Sequence, residues 1–306
     1  MRYQRLIQLS IASCLLFVSM AACDQLNIGS GGKAGLPGAV QPSADLTPPV
    51  TPSTLATLGN GIYNWEVGRR EKESSPKVVD QMNRIFQRLK EAALSDQTYG
   101  AVAKEMDWRL NTIREDTIAM ADAYPGGGVA IYRGVFKVAE NEGALAAILG
   151  HEMAHVVARH ELKRMTGDVA VAAVTVGSAI ASGTKPDKMD PKVIMPVAGA
   201  LGVGYVFGVR QLWKHEHELE ADCLGLFLAA KAGYDPTKIE GFWRRMMETE
   251  GANDKYQFLN DHPIGEKRFK HIEKGTTCMS AAQGAYDKVE SGKRQDASAT
   301  LPGVAG

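Results

Sequence analysis

The chain has 306 residues, 44% of them hydrophobic and 23% charged, so it can bury the core of a large globular domain. Basic and acidic residues both number 35, and this balance excludes a broad basic nucleic-acid surface or an acidic tail as the main functional device. Four cysteines are too few for a disulfide scaffold, which leaves an enzyme or a binding domain.

The N-terminus has the pattern of a bacterial lipoprotein signal peptide. Arg2 and Arg5 precede the mostly apolar segment Leu6–Met20, and two alanines then lead to Cys23. We therefore predict that residues 1–22 form a lipoprotein-type signal peptide and that Cys23 is acylated. Plain secretion and a retained anchor helix are the alternatives. The expected location is the bacterial periplasm, where the lipid holds the protein at a membrane.

Two terminal segments are predicted to lie outside the folded domain. Residues 23–56 are rich in glycine and proline and poor in large apolar side chains, so we expect a flexible tether. Residues 291–306 have the composition of a disordered tail. The folded domain should therefore span residues 57–290.

Hydrophobic periodicity predicts a mainly helical domain with a few short strands. In chain order the predicted elements are a helix at Val78–Leu94, a strand at Trp108–Ile113, a turn at Tyr124–Gly128, a strand at Val129–Arg133, and helices within Glu140–Arg164, Glu216–Ala232, Ile239–Met247 and Phe258–Ile272. Gly233 has the position of a helix C-cap.

Two apolar stretches interrupt this pattern. Val169–Ala181 is rich in alanine, valine and glycine, and Val193–Val209 contains no charged residue. The second stretch is at the lower limit of membrane-spanning length, and Pro196 and several glycines weaken it further. Two interpretations are compatible with these stretches: buried helices near the functional site, or insertion into a membrane.

His151-Glu152-Met153-Ala154-His155 is an H-E-x-x-H motif within a predicted helix. Residues four apart lie on one side of an α-helix, so both imidazoles can bind the same Zn²⁺. Glu152 can then reach the coordination position that a water would take. Because the flanking residues are apolar, these polar side chains need such a partner.

A catalytic zinc site requires a third protein ligand, and the sequence offers one downstream. Glu218 and Asp222 lie four residues apart in Glu216–Asp222, so one can bind the metal while the other accepts a hydrogen bond from a ligand histidine. His217 and Glu220 should face elsewhere if Glu218 faces the metal. A solvated acidic helix face is the alternative interpretation of this segment.

Four motifs in this order resemble one known family of zinc peptidases, which includes HtpX, BepA, LoiP and the CAAX prenyl proteases. They are the Gly126–Gly134 strand region, His151–His155 with Arg159-His160, Glu218–Asp222, and His262-Pro263 with Arg268. The likeness covers about residues 75–275 and is greatest to the secreted bacterial lipoproteins of that family.

The resemblance implies a fold, a cofactor and residue roles. The fold would be α+β, mainly α-helical and zincin-like, with a small sheet next to the H-E-x-x-H helix. One Zn²⁺ per chain would be bound by His151, His155 and Glu218, as in gluzincins. Glu152 would be the catalytic base, and Asp222 would support a ligand histidine.

His262 and Arg268 complete the candidate site. His262 could donate a hydrogen bond to the tetrahedral oxyanion, or occupy the open zinc position and hold the enzyme latent. A loop histidine that caps a helix is the structural alternative. Arg268 could fix its loop through a carboxylate, with Asp222 or Glu218 as its partner.

These observations predict a zinc metalloendopeptidase whose extended substrate would add as a strand to Val129–Arg133. The resemblance and the predicted location imply that the substrates are unfolded or damaged cell-envelope proteins. A chaperone or assembly factor with a latent zinc site and an integral-membrane peptidase are the alternatives. The expected partners are unfolded substrates, the membrane through the lipid and the outer-membrane assembly machinery, but no nucleic acid. Once Cys23 is acylated, Cys223 and Cys278 form an even pair that favours a disulfide; Cys223 as a metal ligand is the alternative.

Overall fold

A computed structural model describes residues 50–165, 167–201, 203, 215–249, 262 and 265–299. The predicted signal peptide, Cys23 and most of the predicted tether lie outside these ranges. Within the described ranges the chain is mainly α-helical and has a three-stranded sheet, which confirms the predicted α+β class.

The described helices are numbered in chain order. They are α1 Pro52–Gly68, α2 Pro76–Leu94, α3 Gly100–Lys104, α4 Glu142–Val157, α5 His160–Arg164, α6 Gly167–Ala181, α7 Pro191–Ala200, α8 His215–Lys231, α9 Pro236–Thr249, α10 Gly265–Ile272 and α11 Thr277–Ala299. Short 3-10 turns lie at Arg133–Lys137 and Pro186–Lys188.

The folded domain begins earlier than predicted. Helix α1 starts at Pro52 because the Thr51 side chain accepts a hydrogen bond from the Thr54 N–H and because proline suits the first helical turn. Leu55 and Leu58 of this helix are buried. The prediction of a tether up to residue 56 is therefore wrong for its last residues, which belong to a packed helix.

Helix α11 is joined to α8 by a disulfide. Cys223 and Cys278 are bonded, with their Cα atoms 5.3 Å apart, which confirms the pairing that the sequence favoured. The helix continues to Ala299, so the prediction of a disordered tail from residue 291 onward is wrong up to that point. Lysine, arginine, glutamine and alanine in this stretch are good helix formers.

The sheet contains β1 Arg109–Ile113, β2 Ala121–Tyr124 and β3 Gly128–Tyr132 in the order β1-β3-β2. Strand β3 pairs in parallel with β1 and antiparallel with β2. Gly126 and Gly127 make the β2–β3 turn with φ values of 97° and 96°, where only glycine is unstrained. Because β3 has a neighbour on both sides, the expectation that substrate adds to Val129–Arg133 is wrong.

Helix α4 lies in the centre of the core, between the sheet and α8. Its N-terminus is capped by Asn141, whose side chain accepts a hydrogen bond from the Ala144 N–H. A Cβ added to Gly150 would lie 2.9 Å from the Gly225 carbonyl oxygen, and one added to Gly225 would lie 2.7 Å from the His151 nitrogen. These two glycines therefore let α4 and α8 cross at backbone contact.

The segment predicted to be helical, Glu140–Arg164, contains two helices with a break between them. Arg159 adopts a left-handed conformation with φ 54° and ψ 40°, so α4 ends at Val157 and α5 begins at His160. No glycine or proline marks this position in the sequence. The break turns the chain just after the H-E-x-x-H motif.

The first apolar stretch and the start of the second form helices α6 and α7. Helix α6 packs against α1 and α7, and it buries Ala170, Ala173 and Val176. In the part of the chain that the structure describes, no helix combines the length and apolar character needed to cross a bilayer. Within Val193–Val209, residue 202 and residues 204–209 lie outside the described residues.

Candidate metal centre

Helix α4 presents the two histidines of the H-E-x-x-H motif on one buried face. One helical turn separates His151 from His155, and their Nε2 atoms lie 3.1 Å apart. Each residue is 1% exposed. Two imidazole nitrogens this close and this deeply buried are well placed to bind one cation.

Helix α8 and His262, three residues before the start of α10, bring two further donors to the same point. Glu218 Oε1 lies 3.3 Å from His155 Nε2, and Glu218 Oε2 lies 3.6 Å from His151 Nε2. His262 Nδ1 lies 3.2 Å from His151 Nε2 and 3.1 Å from Glu218 Oε1. One ligand atom from each of the four residues falls within 4.8 Å of the others, so the group fits a single metal ion.

Glu152 lies beside this group and not within it. Its Oε1 atom is 3.5 Å from His262 Nε2, and its Oε2 atom accepts a hydrogen bond from the Ala123 N–H of β2 at 3.3 Å. Burial raises the pKa of Glu152 above its ordinary value, although the positive charge of His262 and His151 opposes this shift. A raised pKa suits a carboxylate that must take up a proton.

Arg268 on α10 joins the two acidic residues of the α8 motif. Its Nε and Nη2 atoms donate to Asp222 at 2.8 and 2.7 Å, and its Nη1 atom lies 2.5 Å from Glu218 Oε2. Arg268 therefore contacts both carboxylates that the sequence offered as its partners. Asp222 Oδ1 also lies 3.1 Å from His151 Nδ1, so it can orient that ring.

The charges around Glu218 and Asp222 keep both carboxyl groups ionised. Burial alone would raise the pKa of Glu218, but the positive charges of His262 and Arg268 hold it well below its usual value. Burial opposes ionisation of Asp222 as well, and Arg268 again outweighs it, so the pKa of Asp222 is lowered. Two ionised carboxylates in a buried site favour a bound cation.

His160, for which the sequence indicated no role, lies directly behind His155. The two Nδ1 atoms are 2.8 Å apart, and His160 is fully buried. The left-handed turn at Arg159 brings it there. The contact depends on a conformational break that the sequence does not signal, so it could not be predicted from the sequence.

The chain was compared with known proteins. The model of peptidase family M48 matches residues 80–276. The mitochondrial metalloendopeptidase OMA1 of Schizosaccharomyces pombe is 32% identical over 171 residues, which cover 55% of this chain and 47% of the relative. OMA1 of Saccharomyces cerevisiae is 23% identical over 231 residues, covering 71% and 62%.

The beta-barrel assembly-enhancing protease of Escherichia coli K12 is 27% identical over 240 residues, covering 74% of this chain and 46% of the relative. The chain therefore spans about half the length of the curated relatives it matches. The matched family segment includes every residue of the candidate metal centre, from His151 to Arg268.

Proposed function

The chain belongs to peptidase family M48 and is a metallopeptidase of that family, and we propose that it is a zinc-dependent endopeptidase. The observation that carries the proposal is the buried group of His151, His155 and Glu218, with Glu152 beside it. Two imidazoles and one carboxylate are a ligand set typical of catalytic zinc sites.

Zinc, when bound, supplies Lewis acidity that polarises a peptide carbonyl and makes water easier to deprotonate. Glu152 is the residue that moves the proton. It takes a proton from the attacking water as the new C–O bond forms, and it delivers a proton to the amine as the C–N bond breaks. The Ala123 N–H holds the Glu152 carboxylate toward the metal centre.

Strand β2 is the element that an extended substrate would join. Among the described residues, no strand pairs with its outer edge, and the Ala123 N–H on that side already points to Glu152. An added strand would contact the backbone of β2 and place a peptide bond near the catalytic base. Backbone pairing selects an extended, unfolded chain and not a particular sequence.

Unfolded or damaged cell-envelope proteins are the substrates we propose, and the bacterial periplasm is the proposed location. The signal-like N-terminus with Cys23 supports this address and a lipid anchor in the membrane. One similar protein is named as enhancing β-barrel assembly, which makes the outer-membrane assembly machinery a candidate partner. The similar OMA1 proteins are mitochondrial, so the address depends on this chain's own N-terminus.

A second candidate is a chaperone or assembly factor whose zinc site is latent. The position of His262 favours a latent site, because its Nδ1 atom lies among the potential metal-ligand atoms. A histidine there would compete with water for the open coordination position. Latency and proteolysis are compatible if the residue moves when substrate binds.

The test is cleavage of casein by the purified protein. Wild type should cleave it, and Glu152→Gln should lose at least a hundredfold in rate while keeping its metal, because general-base catalysis contributes about 10²–10⁴-fold. Glu91→Gln, an exposed carboxylate on α2, is the matched control and should retain full activity. Equal cleavage by Glu152→Gln would refute the proposed mechanism.

A further inference from the structure

A line of buried polar side chains continues from His155 away from the metal centre. The Nε2 atom of His155 faces His151 and Glu218, and its Nδ1 atom lies 2.8 Å from His160 Nδ1. His160 Nε2 in turn lies 3.1 Å from Glu220 Oε2. The line therefore runs from the ligand group through two imidazoles to a carboxylate.

The chemistry of imidazole fixes one direction for the protons in this line. A neutral ring carries a single N–H, so a His155 that offers Nε2 as a metal ligand must carry its proton on Nδ1. It then donates to His160 Nδ1, which leaves the proton of His160 on Nε2, where it donates to Glu220. Every nitrogen has a matching partner in this arrangement, and reversing the line would protonate the ligand atom.

The fold builds this line by two local devices. The left-handed turn at Arg159 returns His160 beneath His155, five residues further along the chain. His217 stacks on a face of the His160 ring, with centroids 4.5 Å apart and planes 7° apart. The ring of His160 is therefore held in one orientation.

Glu220 is held as firmly as His160. Lys163 Nζ donates to its Oε2 atom at 3.1 Å, and the Tyr99 hydroxyl donates to its Oε1 atom at 3.0 Å. Glu220 faces away from Glu218 on α8, as the sequence predicted, and it is contacted by Lys163 of α5 and by Tyr99, the residue before α3. Its carboxylate is therefore also held by two residues outside the metal-ligand group.

We propose that His160 and Glu220 are positioning residues that orient His155 and raise its basicity as a metal ligand. The inference rests on the proposed function, because it takes His155 as a ligand. The two ligand histidines then have different carboxylate partners. His151 lies directly against Asp222, whereas His155 is linked to Glu220 through His160. Both of these carboxylates and that of Glu218 come from the one segment Glu218–Asp222.

The test measures zinc affinity by competition with a chromophoric chelator, using the whole purified protein. His160→Ala and Glu220→Gln should each bind zinc about 10–100-fold more weakly than wild type, as is usual when a group that orients a ligand is removed. The double variant should be no more than about twofold weaker than the weaker single variant, because residues in one line are not additive. Glu216→Gln, an exposed carboxylate on the same helix, should bind zinc as wild type does.

A merely structural role would give a different result. The Tm of His160→Ala in excess chelator would then be lower than that of wild type, while its zinc affinity stayed at the wild-type value. Glu220→Gln has nearly the same shape as the native residue, so it keeps the test readable should His160→Ala not fold. Zinc affinities within twofold of wild type in the folded variants, or losses that simply add in the double variant, would overturn the inference.

The same samples separate this inference from the proposed function. Wild type that binds zinc but never cleaves casein would refute the peptidase proposal and leave the affinity comparison decisive for His160 and Glu220. Wild type that binds no zinc would overturn both proposals. Normal cleavage and zinc binding by all variants would overturn only the inference.

Discussion

Arg268 should be among the residues on which the stability of the metal-free protein depends most. It is 2% exposed, and its guanidinium contacts the two buried carboxylates of Glu218 and Asp222. Replacing it by methionine keeps the apolar stem but leaves both negative charges without their cationic partner. Breaking a buried ion pair in this way costs about 3–5 kcal/mol.

This loss corresponds to a fall in Tm of roughly 6–20 °C, since 1 kcal/mol shifts Tm by about 2–4 °C in a domain of this size. The measurement is urea and thermal unfolding of wild type and Arg268→Met, first in excess chelator and then in zinc. Zinc should offset part of the loss because a bound cation would neutralise Glu218 in place of the arginine.

Lys270→Met is the matched control, because Lys270 lies on the same helix and pairs with Glu266 at the surface, with 62% of its side chain exposed. Its effect on the free energy of unfolding should be too small to resolve. A loss below about 1 kcal/mol for Arg268→Met in chelator, or one equal to that of Lys270→Met, would refute the account of these buried charges.

Three further predictions concern other parts of the molecule. His262→Ala should cleave casein several-fold faster than wild type, because a competing side chain leaves the ligand group; slower cleavage would contradict this and support an oxyanion role. Burial raises the pKa of Glu161 to about 8. The folded state therefore binds an extra proton between the unfolded pKa of about 4.3 and that value, and stability falls as pH rises through this window. Between pH 6 and pH 8.5, the free energy of unfolding of wild type measured in urea should fall by about 2–3 kcal/mol more than that of Glu161→Gln. An equal change in the two proteins would contradict this prediction. Reduction of the Cys223–Cys278 bond, which closes a loop of 55 residues, should cost about 4 kcal/mol; an unchanged Tm after treatment with a dithiol would refute this, with Cys278→Ser as the variant that reductant no longer affects.

Helical spacing explains why the sequence predicted that His151, His155 and Glu218 come together. His151 and His155 lie four residues apart, as do Glu218 and Asp222, and both pairs fall on buried helix faces, as predicted. The close crossing of α4 and α8 then brings Glu218 to the histidines. Local periodicity is sufficient here because each helix is long and regular.

The remaining parts of the site depend on contacts that periodicity does not contain. Strand β2 has only four residues, all of them buried, so it shows no alternation that would mark it as a strand. Because β2 was not predicted, β3 was expected to be an edge strand that could pair with substrate. The turn at Arg159 has no glycine or proline, so the contact between His155 and His160 could not be foreseen.

Metal analysis of the purified protein tests the central claim most directly. Wild type should contain about one zinc per chain, and His151→Ala should contain little or none after the same purification. Zinc should also protect wild type, but not His151→Ala, against thermal unfolding. Equal zinc contents in the two proteins, or none in wild type even after zinc is added, would contradict a metal centre built on His151, His155 and Glu218.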